Sequence, residues 1–139
     1  MLYKGIYDGF VVEDSDMFSF NRKLKEKGRP NKLILNYKGK EFSVDLKTGE
    51  FFVNDILINL GEHSIDIKGK ELRWINFRRR IISYVMGGKA TEKILYVIGW
   101  QTTVNRKNIK RMIAINEDGD IEIWTEDQKG IVEAEHGKI

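Results

Sequence analysis

The sequence predicts a mainly β fold, of the β-rich α+β class, in which two antiparallel meanders pack as a sandwich or half-open barrel beside one short N-terminal helix. Three observations lead there. Between Lys32 and Leu60, short alternating runs are separated by tight reversals. A second series of the same kind runs through residues 92–125. One stretch, Ser15 to Lys27, combines helical apolar spacing with a start and a stop signal. A chain of 139 residues is expected to form a single β-rich domain over 1–127, with 128–139 as a frayed tail of little apolar content.

The first element pair is a hairpin. Leu2 to Tyr7 and Phe10 to Glu13 flank Asp8-Gly9, a strong two-residue turn signal, which sets Tyr7 against Phe10 and Ile6 against Val11. In the helix that follows, Ser15 is the expected cap, Met17, Phe20 and Leu24 form the apolar stripe, and Gly28 stops it. Its cations, Arg22, Lys23, Lys25 and Lys27, raise the alternative that it lies on nucleic acid instead of on the sheet.

The meander over 32–60 organises the chain. Lys38-Gly39 sets Leu35 against Phe42 and Leu33 against Val44. A turn at Thr48-Gly49 would set Leu46 against Phe51 and Val44 against Val53, and Asn54-Asp55 would set Val53 against Ile56 and Phe51 against Ile58. One flank then carries Leu33, Leu35, Phe42, Val44, Leu46, Phe51, Val53, Ile56, Ile58 and Leu60, while Ile34, Ser43, Asp45, Phe52 and Leu57 face the wetter side. A slip of one residue would invert a whole strand, so agreement among three independent turns is informative.

Ser64 to Lys68 reads as a short strand. Glu71 to Met86 places Trp74, Phe77, Ile81 and Tyr84 at helical spacing, yet it lacks alanine and is rich in strand formers, so one or two strands are expected. After Gly87-Gly88, the strand Glu92 to Val104 meets Asn108 to Asn116 across a loop at Asn105 to Asn108. Pairing Val104 with Ile109 would place Trp100 opposite Ile113 and Ile98 opposite Ile115. A turn at Glu117-Asp118-Gly119 then brings Ile121 and Ile123 onto the same face. The segments Asp45 to Phe51 and Ala114 to Ile121 echo one another, which suggests a duplication or a shared turn chemistry.

The chain has no cysteine, which excludes disulfides and thiol chemistry and fits a reducing, cytoplasmic setting. No apolar run is long enough to span a bilayer and no signal peptide is apparent. His63 and His136 lack metal-ligand spacing. Phosphate-loop, dinucleotide and serine-hydrolase motifs are absent. No catalytic residue, metal or cofactor is therefore expected. The one pattern that invites an enzyme is Asp45-Leu46-Lys47 with Asp66-Ile67-Lys68 and Asp55, an acid-x-Lys arrangement of the kind Mg²⁺-dependent nucleases use to hold the metal and stabilise charge. That spacing also arises by chance in a chain 32% charged.

The better lead is charge segregation. Net charge is only +3, but residues 73–111 carry ten Lys or Arg against one acid, and residues 116–139 carry eight acids against two lysines. In the basic middle, Arg78, Arg79, Arg80, Lys93, Arg106, Lys107, Lys110 and Arg111 are interleaved with aromatic residues, Trp100 among them. Cations that track phosphates beside aromatic platforms for bases are the recipe for single-strand binding. On a strand, Arg78, Arg79 and Arg80 cannot share one face. The functional expectation is a small non-enzymatic binding protein whose basic middle contacts nucleic acid or a nucleoprotein. The alternative is a virus- or mobile-element-encoded inhibitor covering a host protein such as a defence nuclease. Homo-oligomers through edge strands are a further expectation.

Overall fold

Backbone chirality at the turns explains most of the strand pairing. Lys38 and Gly39 have φ of 54° and 72°, and Asn54 and Asp55 of 50° and 62°. Gly87 and Gly88 have φ of 59° and 78°. Two central residues with positive φ give the type I′ reversal whose twist matches that of the flanking strands. The computed structural model describes residues 1–58, 77–104, 107–126 and 132–136, with side chains described at 1–58, 77–83, 87–97 and 112–124.

The elements are β1 (Leu2–Ile6), β2 (Val11–Asp14), α1 (Met17–Lys27), β3 (Lys32–Tyr37), β4 (Lys40–Asp45), β5 (Phe51–Val53) and β6 (Ile56–Ile58). They continue as β7 (Arg78–Met86), β8 (Lys89–Val104), β9 (Lys107–Asn116), β10 (Ile121–Glu126) and β11 (Val132–His136). The strands form two antiparallel sheets, ordered β2-β1-β3-β4-β5-β6 and β11-β10-β9-β8-β7. Neither closes into a barrel among the described residues. The mainly β class with one short helix is thus the observed one.

In the first sheet the hairpins at Asp8-Gly9, Lys38-Gly39 and Asn54-Asp55 take the expected registers, with Ile6 opposite Val11, Leu35 opposite Phe42 and Val53 opposite Ile56. The β4–β5 connection differs. Val44 pairs with Phe51 and Phe42 with Val53, two residues from the expected pairing. The reason is the Asp45 carboxylate, whose Oδ1 accepts from the amides of Lys47 at 2.8 Å and Thr48 at 3.2 Å. With Asp45 N bonded to Glu50 O, this closes a four-residue loop in place of a two-residue turn. The shift is even, so the apolar residues stay on their flank.

Leu33, Leu35, Phe42, Val44, Leu46 and Phe51 are buried as expected, and Val53 and Ile58 pack against them. Ile56, expected on that flank, is 68% exposed on β6, the last strand in the order of the sheet. Conversely Ile34 and Ser43, expected on the wet face, are buried. Registers align Ile34, Ser43 and Phe52 across β3, β4 and β5, and Lys32 lies over the Phe52 ring at 5.4 Å. Stacked neighbours and a long aliphatic stem exclude water there.

The helix begins one residue later than predicted. Asp16 is the cap, its Oδ2 accepting from Ser19 N at 2.9 Å, and Gly28 ends the helix at φ 86°. Phe20 and Leu24 are buried and Met17 half-buried, so α1 packs on the sheet. Lys23 is tied to Asp14 at 3.1 Å.

Ile113, Ile115, Ile121 and Ile123 of the second sheet join the first sheet's flank, Phe20, Leu24 and Phe77 in one core. Among the described residues fourteen buried ones form it, and each large apolar side chain contributes about 1.5–3 kcal/mol. A second buried cluster, Ile82, Leu95, Val97, Met112, Ala114 and Trp124, occupies the other face of the same sheet. The sheet is therefore buried on both sides.

The β8–β9 register departs from expectation. Trp100 pairs with Met112, Gly99 with Ile113 and Tyr96 with Ile115, with irregularities between Val97 and Gly99 and between Thr102 and Val104. Val104 pairs with Lys107 in place of Ile109, a shift of two residues, and the two irregularities offset one another, so Tyr96 stands where Ile98 was expected. Residues 71–76, the strand expected at 64–68 and Leu60 lie outside the described residues, whereas 78–86 is strand as expected. Within the expected tail, Val132–His136 pairs with β10.

Candidate nucleic-acid interface

An edge strand, β7, carries the arginine run to the surface. Arg78 pairs with Val97, Arg79 with Tyr96 and Arg80 with Leu95. Alternation sends Arg79 to the side of Tyr96 and the other two to the side of buried Leu95 and Val97, so the three do not share a face. Arg78 and Arg79 are exposed, and Arg80 is half-buried with Nη1 3.3 Å from Met112 Sδ.

At its start β7 meets the first turn of α1, and the two bound an open cleft of about 770 Å³. Ser15, Asp16, Met17, Phe18 and Asn21 form the helix wall. Phe77, Arg78, Arg79 and Tyr96 form the sheet wall, with Tyr3 between them. The Asn21 amide sets the spacing of these walls: Nδ2 donates to Phe77 O at 2.7 Å, and Phe77 N donates to Asn21 Oδ1 at 3.1 Å. Tyr3, Phe20 and Phe77 cluster with ring centroids 5.0 to 5.8 Å apart, Tyr3 stacked on Phe20 and Phe77 tilted against both. Phe18, in contrast, is 73% exposed at the rim.

Burial, reinforced by the charges on Tyr96 and Asp16, pushes the Tyr3 hydroxyl up to about 12. Tyr96 is also raised, by burial and by Tyr37 and Glu117, with the Arg79 guanidinium opposing. Because the folded state holds the Tyr3 proton more tightly, its contribution to stability is complete below about pH 10 and is lost as pH climbs from there to about 12. Tyr3→Phe is expected to fold and to show a shallower loss of thermal midpoint over that window. A midpoint series across pH checks this, and an unchanged alkaline slope would refute it.

The other candidate residues separate. Lys93 does not line that cleft: its ammonium lies 2.7 Å from Glu122 Oε1 and over the Trp124 ring at 5.5 Å, within the second sheet. Lys107, Lys110, Arg111 and Trp100 lie along the β8–β9 hairpin, with Lys110 opposite Thr102 and Arg111 opposite Gln101. Arg106 lies outside the described residues, as do Trp74 and Asp66-Ile67-Lys68. Of the acid-x-Lys pattern, Asp45 caps its own loop, and Asp55 sits in a turn. Among the described residues no group of three His, Asp or Glu side chains could hold a metal ion, and no helix is long and apolar enough to cross a membrane.

Two site residues were legible in the sequence without being singled out. Asn21 lies at the i+4 position from Met17, on the apolar stripe, where an amide must find a buried partner. Phe18 is an aromatic residue placed off that stripe. Comparison of the chain with protein-family models, with curated proteins and with solved structures gives no significant match.

Proposed function

We propose that this is a non-enzymatic binding protein that holds single-stranded nucleic acid along β7 of the second sheet. The observation that carries the reading is the juxtaposition of two exposed cations, Arg78 and Arg79, with Tyr96 and the exposed Phe18 ring on the walls of one cleft. Phosphates need cations along a track and unpaired bases need aromatic faces, and both are within this cleft. The cations Arg106, Lys107, Lys110 and Arg111, which follow in the sequence, are the further candidates for phosphate contacts. A cytoplasmic setting accords with the cysteine-free composition.

Fluorescence anisotropy with single- and double-stranded oligonucleotides tests this. Binding is expected to weaken as salt rises, and Arg79→Ala should flatten the log–log salt dependence by about 0.7, the value for one phosphate on a single strand. Lys47→Ala, an exposed cation on the β4–β5 loop, should leave it unchanged. Absence of binding to any oligonucleotide at low salt would overturn the reading in favour of the host-protein inhibitor.

A further inference from the structure

We infer that the cleft between α1 and β7 accepts one nucleotide unit, with a base against Phe18 and Tyr96 and a phosphate against the β7 arginines. The inference rests on the nucleic-acid reading and names what the cleft itself recognises. Its volume, about 770 Å³, lies in the range of small-molecule sites.

Four features select this ligand. Phe18 is 73% exposed, off the stripe whose Phe20 and Leu24 are buried, so most of its ring is open to a ligand. Charge is divided between the walls, with Arg78 and Arg79 on the sheet side and the Asp16 carboxylate on the helix side. A phosphate is drawn to the first and repelled by the second, which fixes the ligand's direction. Asp16 is held by the Ser19 amide, leaving its second oxygen to accept from an exocyclic amino group. Finally, the polar groups deepest in the cleft are already satisfied within the protein. Asn21 is bonded through both amide atoms to Phe77, and the Tyr3 hydroxyl donates to Met1 Sδ. A ligand read by many hydrogen bonds, such as a sugar, finds little there, whereas a flat base does.

The same chemistry could come from a free mononucleotide or from an unpaired residue of a strand, so the test has arms for both. Binding of AMP, adenosine and ribose 5-phosphate is measured by calorimetry, and of adenine, cytosine and thymine homopolymers by anisotropy. AMP is expected to bind more tightly than either fragment and to compete with the homopolymers. Phe18→Ala, at an exposed position, should weaken AMP and the adenine homopolymer about tenfold, the loss of one stacked base. Adenine and cytosine homopolymers should outbind thymine, and Asp16→Ser, which keeps a capping hydroxyl, should erase that preference. AMP binding without homopolymer binding would sustain the cleft but end the single-strand function. Salt-dependent homopolymer binding indifferent to Phe18→Ala and Asp16→Ser would overturn the cleft inference and leave that function standing.

Discussion

Glu122→Ala is expected to lower the free energy of unfolding by about 3 kcal/mol, the lower end of the range for breaking a buried ion pair. The Glu122 carboxylate is 2% exposed and accepts from three side chains. Lys93 Nζ donates to its two oxygens at 2.7 and 2.9 Å, Asn116 Nδ2 at 2.8 Å and Trp124 Nε1 at 3.1 Å. Removing it takes the carboxylate from an ammonium on the face of Ile82, Leu95, Val97 and Met112 and deprives buried Trp124 and half-buried Asn116 of an acceptor. The lower end applies because the Lys93 side chain is 26% exposed and can lift its charge towards water. The net worth of the pair is a separate quantity. Lys93→Met combined with Glu122→Met should cost far less than Glu122→Ala alone, since a buried pair returns little beyond its desolvation. Urea denaturation of the two variants decides. A loss below about 1 kcal/mol for Glu122→Ala would show that the network carries no such load.

The same carboxylate joins the basic middle of the chain to its acidic end. Glu122 reaches Lys93 inside the second sheet. Asn116 links that pair to the β9–β10 turn, because its Oδ1 accepts from the Asp118 and Asp120 amides while its Nδ2 reaches Glu122. Asp45 closes the β4–β5 loop by the same chemistry, with Gly49 at φ 79° and Gly119 at φ 85° ending the two loops. The two segments that echo one another thus share a way of turning the chain.

What could be read from the residues was set by how local the determining physics is. Asp8-Gly9, Lys38-Gly39 and Asn54-Asp55 fix their hairpins within four residues, and each register was legible. Registers that depend on a side chain folding back, as at Asp45, or on a bulge beside Gly99, are decided by competition between alternatives of similar energy. Met112-Ile113-Ala114-Ile115 carries no alternation, and that continuity is the signature of a strand covered on both faces. The cleft was legible only in pieces. The arginines of β7 stood out as charge, but their company depends on the Asn21–Phe77 clamp, which spans 56 positions of sequence. Lys93 looked like its neighbours in composition and differs from them only through a partner 29 residues away.

Phe20→Ala is expected to cost about 3–5 kcal/mol and to remove the cleft before it unfolds the sheets. Phe20 is fully buried, its ring lies 5.8 Å from Tyr3 and 5.6 Å from Phe77, and its edge is 3.5 Å from where a Cβ on Gly5 would stand. An 11-residue helix with mean hydropathy below zero has little stability in isolation, so α1 persists by what it buries. Losing the largest of those contacts leaves Leu24, half-buried Met17 and the Asn21 amide to hold it. Amide exchange across 17–27 should therefore accelerate far more than exchange in β3 and β4. Phe51→Ala, buried on β5 and separated from β1 by β3 and β4, provides the comparison, because it should lower global stability by about 3–5 kcal/mol while α1 stays docked in the folded molecules. If the cleft binds as inferred, Phe20→Ala should weaken AMP binding at temperatures where the sheets remain folded, and Phe51→Ala should not. Retention of α1 protection in Phe20→Ala would mean that the helix is held by something other than its aromatic anchor, and the geometry of the cleft would then have to be explained without it.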